Sequence, residues 1–137
     1  MICLDTNIVI ALLNDTSTPV RRQLMAAIQH GETLVISPIV LFELQYGAAK
    51  SANQPRAARR IVEFLSGPVG VLEFDAEDAE VAGAIRAALE RAGTPIGPYD
   101  VLIAAQARRR HALLVTGNIR EFARIDGLRT TNWTVAD

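Results

Sequence analysis

Asp5, Glu43 and Asp100 are the residues of this sequence whose types and surroundings point most directly to chemistry. Asp5 follows the apolar run MICL, Glu43 lies within IVLFELQ, and Asp100 is followed by VLIAA. A carboxylate among apolar residues lies close to the core, where it needs a partner. Each also has a structural interpretation: Asp5 as a helix cap, Glu43 as a solvent-facing residue, and Asp100 as an acid that favours a helix dipole.

Brought together, the three carboxylates would repel one another, and a hard divalent cation would remove that cost. Mg²⁺ prefers carboxylate and water oxygens. Thr116 and Asn118, at the end of the apolar run ALLVT, would add neutral oxygen atoms. A metal held in this way lowers the pKa of a bound water and stabilises the charge that develops on a phosphate. These five residues therefore predict metal-assisted cleavage of a phosphodiester bond.

The composition predicts one globular domain that covers residues 1–137. Half of the residues are hydrophobic, 21% are charged and the net charge is −1, a typical globular balance that neither supports nor excludes an RNA substrate. The single cysteine, Cys3, excludes an internal disulfide and is interpreted as a core residue. No apolar run approaches the ~20 residues of a membrane span. The N-terminus also lacks the basic region of a signal peptide, so we predict a cytoplasmic protein.

Thirteen of the fourteen basic residues are arginines, and several are clustered. The run Arg108–Arg110 suits either contact with RNA or the negative end of a helix dipole. Tyr99, next to Asp100, either stacks on a base or packs against a neighbouring helix. A second arginine cluster is interpreted as a solvated helix face, with RNA contact as the alternative: Arg56, Arg59 and Arg60.

Apolar runs of strand length alternate with helical patterns along the whole sequence. The predicted strands end near Asp5 and cover TLVIS (33–37), VGVLEF (69–74), ALLVT (112–116) and LRTTNW (128–133). This alternation predicts an α/β domain with a mostly parallel sheet that helices cover on both faces. Functional groups gather at the carboxyl ends of such strands. Those ends carry Asp5, Ser37, Asp75 and Thr116.

Caps, prolines and glycines indicate where the helices begin and end. The predicted starts are Thr6 or Asn7 as the first cap, Thr18-Pro19, Ser37-Pro38, the segment RAARRIVEFL, Asp75 and Pro98, with one further turn over 118 to 122. Gly31 and Gly93 end two of these helices. The helix from Pro98 to Arg109 leads directly into ALLVT, so its first-turn acid, Asp100, belongs with the end of the fourth strand.

Four separated segments carry a family pattern: LDTNIVIALL, SPIVLFELQYG, GTPIGPYDVLIAAQA and VTGNIREFARIDGLRTTNW. In this order and spacing they resemble the PIN-domain ribonucleases, and most closely the VapC-type toxins of toxin–antitoxin pairs. The resemblance covers nearly the whole chain. It implies a three-layer α/β/α fold with a five-stranded parallel sheet in the order 3-2-1-4-5.

For function, the resemblance implies a metal-dependent endoribonuclease toxin that binds Mg²⁺ or Mn²⁺. It also implies an RNA substrate, a VapB-type antitoxin as partner and a homodimer. Residue by residue, it places the metal-binding acids at Asp5, Glu43 and Asp100. The supporting polar positions that it implies are Thr6, Asn7 and Thr116.

Asn118 departs from the family pattern, because many members have a fourth acid at this position. Asn contributes no negative charge, so we predict weaker affinity for a second metal, and Glu121, one turn later, either contributes or is solvated. The departure leaves an alternative open: a catalytically weak PIN-like module that binds RNA or a protein. An aspartyl phosphatase is disfavoured, since Asn7 stands where a second Asp is expected. No glycine-rich dinucleotide fingerprint follows the first strand.

Overall fold

The structure, a computed structural model, describes residues 1–135. The predicted domain also includes residues 136 and 137, which lie outside the described residues. One sheet contains β1 (Ile2–Leu4), β2 (Leu34–Ile36), β3 (Val69–Val71), β4 (Leu113–Val115) and β5 (Arg129–Thr131). Every neighbouring pair is parallel, and the order is β3-β2-β1-β4-β5. The predicted strand order is therefore confirmed.

The strands are connected by helices that cover both faces of the sheet. They are α1 (Thr6–Leu13), α2 (Thr18–Gln29), α3 (Pro38–Ala49), α4 (Gln54–Leu65), α5 (Ala76–Arg91), α6 (Pro98–Arg109) and α7 (Ile119–Phe122). Because crossovers between parallel strands are right-handed, α1 to α4 lie on one face, and α5 and α6, which return the chain to β4, lie on the other. Within residues 1–135, no helix is long and apolar enough to cross a bilayer.

The core lies on both sides of the central strands. Leu4 of β1, Ile36 of β2 and Leu114 of β4 are almost completely buried. The helix α6 is buried along most of its length, and three of its buried residues are alanines: Ala104, Ala105 and Ala107. Small side chains let a helix approach a sheet closely, and α6 also packs extensively against α5. This packing fixes the position of its first turn, which carries Asp100.

Two predicted caps are one residue away from the observed ones. Asp5 itself caps α1, because its carboxylate accepts a hydrogen bond from the Thr6 N–H, so neither Thr6 nor Asn7 is the cap. In α2 the cap is Ser17, whose hydroxyl accepts from the Val20 N–H. Other predicted features are confirmed: Ser37 caps α3, Asp75 begins α5 with a capping box, and Gly31 and Gly93 adopt positive φ after their helices.

The third strand is shorter than predicted, since it ends at Val71 and not at residue 74. The reason is a tertiary contact. The side-chain amide of the buried Gln106 donates to the carbonyls of Leu72 and Glu73, each at 3.0 Å. These carbonyls are therefore used by α6 and do not continue the ladder with β2.

The strand order reverses direction between β1 and β4, which are neighbours in the sheet. From β1 the chain proceeds outward through β2 to β3, and from β4 it proceeds outward the other way to β5. In parallel sheets a crevice opens at the carboxyl ends of two such strands. Asp5 follows β1 and Thr116 follows β4, so both residues lie at this crevice.

Candidate active site

Asp5 lies at this crevice and is held by three hydrogen bonds. Its backbone N–H donates to the Val115 carbonyl of β4 at 2.9 Å. One carboxylate oxygen accepts from the Thr6 N–H at 2.8 Å, and the other accepts from the Thr116 hydroxyl at 2.7 Å. Burial raises the pKa of Asp5, although the hydrogen bonds from Thr116 and Thr6 act in the opposite direction. The side chain is thus both a helix cap and a fixed site carboxylate.

Glu43 faces this crevice from α3. Its Oε1 accepts a hydrogen bond from the Thr6 hydroxyl at 2.8 Å, and the residue is half-buried. Thr6 therefore joins two acids, since its N–H binds Asp5 and its hydroxyl binds Glu43. This hydrogen bond turns the half-buried Glu43 side chain towards Thr6 and Asp5.

Asp100 lies in the first turn of α6, and the negative charges of three other acids act on its carboxyl group. Its pKa is raised from 3.8 to about 6, first because the carboxyl is half-buried, and then because of the negative charges of Asp5, Glu121 and Glu43. Interactions between charges weaken with distance and with screening by water. Asp100 therefore lies within electrostatic range of Asp5 and Glu43, although within residues 1–135 no three such side chains converge as a ready-made metal cage.

Glu121 belongs to the same group, although the sequence left its role open. It is half-buried in α7, and its charge acts on Asp100 more strongly than that of Glu43. Asn118 begins α7 and takes part through its backbone: its N–H donates to the Thr116 hydroxyl at 3.0 Å, whereas its side chain does not cap the helix. The sequence signal for Glu121 is its position one turn after Asn118, which allows its side chain to lie near the same site.

Asn7 and Gly97 support the site from its edges. The Asn7 side-chain oxygen accepts from the Gly117 N–H at 3.2 Å, which ties α1 to the loop after β4. Gly97 begins α6, and a Cβ atom there would lie 3.1 Å from an Asp100 carboxylate oxygen. Glycine leaves room for this carboxylate. The motif GTPIGPYD alone does not predict this role of Gly97.

Within residues 1–135, no cationic side chain forms an ion pair with the acidic cluster, by which we mean Asp5, Glu43, Asp100 and Glu121. Within the same residues, no three His, Cys, Asp or Glu side chains converge as a ready-made metal cage. Mg²⁺ keeps several waters and binds through one or two carboxylates. An open group of carboxylate and hydroxyl oxygens therefore fits a hydrated divalent cation.

The Arg108–Arg110 run lies away from this cluster and has a structural role. Arg109 and Arg110 each donate to Asp78 at 2.7 Å, and Asp78 is fully buried. Burial alone would raise the pKa of Asp78, but hydrogen bonds from the two arginines and from the Asp75 N–H hold it well below its usual range. The run joins the end of α6 to the start of α5 and does not form an open RNA patch.

A largely apolar groove of about 270 Å³ adjoins Glu43 between α1, α3 and α4. Leu13, Leu44 and Ile61 contribute to its lining. Glu43 and Arg60 are its charged members, and Arg60 also donates to the Asn14 side chain at 3.1 Å. The groove therefore places an apolar surface next to Glu43, on the side of the sheet that α1 to α4 cover.

Comparisons with known proteins agree with this geometry. The model of the PIN domain family matches residues 2–128. The chain is 41% identical over 131 residues to the tRNA(fMet)-specific endonuclease VapC of Shigella flexneri, covering 96% of both chains. It is 38% identical over 130 residues to Ribonuclease VapC2 of Haemophilus influenzae strain Rd, covering 95% of this chain and 96% of that protein.

Solved structures show the same fold. A chain in the crystal structure of VapBC2 from Rickettsia felis bound to a DNA fragment from their promoter superposes with a TM-score of 0.90 at 38% identity, covering 97% of this chain and 99% of that one. A chain in DNA-bound VapBC from Salmonella typhimurium superposes with a TM-score of 0.88 at 39% identity, covering 96% of this chain and 97% of that one.

Proposed function

The chain belongs to the VapC ribonucleases of the PIN-domain family, and from this premise we propose that it is a metal-dependent endoribonuclease and the toxin of a toxin–antitoxin pair. The observation that supports the proposal best is the acidic cluster. Burial, and then the negative charges of Asp5, Glu121 and Glu43, raise the pKa of Asp100 to about 6, and no arginine or lysine within the described residues pairs with these carboxylates. Such a group suits a hard divalent cation.

In this proposal Asp5, Glu43 and Asp100 hold Mg²⁺ or Mn²⁺. When bound, the ion lowers the pKa of water and stabilises the charge that develops on the phosphate. The Thr116 hydroxyl fixes the Asp5 carboxylate through its 2.7 Å hydrogen bond. The Asn118 side-chain amide would coordinate or hydrogen-bond water at the site, while the residue's backbone N–H makes the contact with Thr116.

The direct test is cleavage of RNA by the purified chain with Mg²⁺ or Mn²⁺ and with a chelator. We expect cleavage only with the metal, and a loss of about 10²–10³ in rate for Asp5→Asn and for Asp100→Asn, as when a transition-state charge loses its partner. Glu80→Gln is the matched control, since Glu80 is an exposed acid on α5. Cleavage in the chelator, or full activity of both variants, would contradict the assignment.

The groove beside Glu43 supports a VapB-type antitoxin as the partner. An antitoxin segment with apolar side chains would cover Leu13, Leu44 and Ile61, and a cation at its end would meet Glu43. Expression of the chain should inhibit growth, and co-expression of the small protein encoded beside it should relieve the inhibition.

Ala57→Arg tests this partner site, because Ala57 lines the groove. We expect this variant to cleave RNA normally and to escape the antitoxin, whereas Glu63→Arg, on the exposed part of α4, should remain inhibited. Equal inhibition of the two variants would exclude the groove.

We also propose that the toxin is a homodimer and acts in the cytoplasm, where its RNA substrate is. Several large apolar side chains are exposed away from the cluster, including Met25 and Val62. Sedimentation velocity over a range of protein concentrations measures the oligomeric state, and a monomer at all concentrations would contradict the dimer.

The second candidate function is a PIN-like module that binds RNA or a protein without turnover. Two observations favour it: Asn118 replaces an acid, and within residues 1–135 no three metal-ligating side chains already converge. Calorimetric titration with Mn²⁺ separates the two candidates. Metal binding with cleavage supports the nuclease, and a chain that binds RNA but not Mn²⁺ supports the module.

A further inference from the structure

Three aromatic side chains meet on the surface, and none of them is covered. Phe42, Tyr46 and Tyr99 are 47%, 57% and 48% exposed. Phe42 and Tyr46, four residues apart on α3, stack with ring centroids 6.5 Å apart. Phe42 and Tyr99, from α3 and α6, meet edge to face at 5.5 Å. A contiguous exposed aromatic patch on a small protein marks an interaction surface.

The patch is joined directly to the acidic cluster through the backbone. Phe42 precedes Glu43 on α3, and Tyr99 precedes Asp100 on α6. Consecutive Cα atoms are about 3.8 Å apart. Neighbouring residues of a helix point in different directions, so the rings lie to the side of the two acids, where the base of a nucleotide bound at the acids would lie.

Lys50 adds a positive charge at the far end of the patch. It continues the Phe42–Tyr46 row by four further residues, and its ammonium lies 4.9 Å from the centre of the Tyr46 ring. It is also the single lysine of the chain. Exposed rings beside a positive charge are the combination that holds single-stranded nucleic acid. Bases stack on the rings, and the backbone phosphate binds the cation.

We infer that Phe42, Tyr46 and Tyr99 form a stacking platform for unpaired bases of the RNA, with Lys50 as a contact to the backbone phosphate. The inference rests on the proposed ribonuclease function and adds to it the residues that would hold the bases beside the cleaved bond. Recognition of this kind targets loops and single strands, because bases in a duplex do not offer their faces.

A second copy of the chain fits the patch less well than RNA does. An aromatic side chain buries about 150–250 Å² when it is fully covered, so three half-exposed rings offer about 300 Å². A stable interface needs about 800 Å² from each partner. The rings alone are therefore too small for a dimer and large enough for two or three bases.

The test measures RNA affinity by fluorescence anisotropy with a labelled single-stranded RNA and Mg²⁺, in an Asp5→Asn background that keeps the RNA intact. Phe42→Leu, Tyr46→Leu and Tyr99→Leu keep apolar bulk and remove the rings. Each should weaken binding by about tenfold, whereas Tyr99→Phe and Phe42→Tyr should restore it. Met25→Leu is the control, because Met25 is a half-exposed apolar residue on α2. It should bind like the parent.

Two further readouts distinguish stacking from a structural effect. Moving one abasic nucleotide along the RNA should reveal a position at which Tyr99→Leu no longer weakens binding, since the base that it held is missing. Lys50→Gln should reduce the slope of log affinity against log salt by about 0.7, the value of one phosphate contact to a single strand. A purely structural role of the rings would change neither readout.

Unchanged affinity in the three Leu variants would overturn the platform. So would a change from dimer to monomer in sedimentation with RNA binding intact, which would make the patch an interface between copies. If the parent chain neither binds nor cleaves RNA, the proposed function itself fails, and the platform fails with it. A parent that cleaves RNA, with variants that bind like it, shows that only the platform is wrong.

Discussion

Two groups of acids differ in one respect: the group at the start of α5, and the acidic cluster, to which the start of α6 contributes Asp100. At the start of α5, Asp75, Glu77 and Asp78 all contact Arg109, with nitrogen–oxygen distances of 2.6 to 2.9 Å. At the start of α6, the charges that act on Asp100 are those of Asp5, Glu121 and Glu43. Within residues 1–135, the α5 group has its counter-charge and the acidic cluster forms no ion pair.

Burial does not explain the difference, because the more deeply buried acid is the more acidic one. Asp78 is fully buried, yet the arginines hold its pKa well below the usual range. Asp100 is only half-buried, yet its pKa is raised to about 6. The same fold that supplies Arg109 and Arg110 to one group leaves the other group for a cation from outside. This contrast distinguishes a structural ion network from a candidate metal site.

The largest effect is expected from removing the buried charge of the α5 group. Asp78→Asn leaves two arginines without their central partner, so the free energy of unfolding should fall by about 3 kcal/mol, the lower end of the range for breaking a buried ion pair. Urea denaturation measures this value. Glu77→Gln is the control, since Glu77 contacts Arg109 at an exposed position and should cost less than about 1 kcal/mol. Equal losses in the two variants would contradict the structural role of Asp78.

The next effect concerns the position of Asp100 and not its charge. A Cβ at residue 97 would lie 3.1 Å from the Asp100 carboxylate, whereas a Cβ at residue 117 would meet the Asn7 side chain at an ordinary 3.5 Å. Gly97→Ala should lower RNA cleavage by about tenfold, because small displacements of a site group are costly. Gly117→Ala should cleave like the parent. Both variants should unfold within about 0.5 kcal/mol of the parent, and equal activities would show that the site tolerates the shift.

Local patterns were sufficient to predict most of the fold. Ser37-Pro38, Asp75 and Pro98 begin the helices that they predicted, because capping depends on residues within one turn. The third strand was predicted too long, since its end depends on Gln106, more than thirty residues later. The strand order came from the resemblance of the whole chain and not from any single segment.

The candidate site was only partly predictable for the same reason. The acids were found from their apolar neighbours, but the hydrogen bond from Thr6 to Glu43 joins residues 37 positions apart. The arginine run gave no sign of its partners, because a helix dipole explains basic residues at a helix end without any tertiary contact. Only the fold shows that Arg109 and Arg110 bind Asp78.

A smaller effect should appear when the uncompensated charge at Asp100 is removed. In the metal-free protein, Asp100→Asn should raise the free energy of unfolding by about 1 kcal/mol near neutral pH, a value already reduced for the partial exposure of the group. Added Mg²⁺ should stabilise the parent and not the variant, since ligands stabilise the state that binds them. Denaturation with and without Mg²⁺ measures both effects. A destabilised variant would mean that Asp100 is needed for folding, as Asp78 is.

The smallest effect is the pH dependence of the stability that Asp100→Asn gains over the parent. The sign of this dependence distinguishes Asp100 from Asp78. The pKa of Asp100 is about 6 in the folded protein and 3.8 without the fold, so between these values the folded state binds more protons than the unfolded state. Lowering the pH through this window therefore stabilises the parent, and the advantage of Asp100→Asn should disappear by roughly pH 4. Asp78 has the opposite sign, because its lowered pKa contributes stability above the unfolded value that is lost as the pH falls further. Urea denaturation of the metal-free parent and both variants from about pH 7.5 to roughly pH 3 measures the two dependences. An advantage of Asp100→Asn that stays constant over this range would mean that its charge is already compensated in the folded protein, and the contrast with Asp78 would then have another cause.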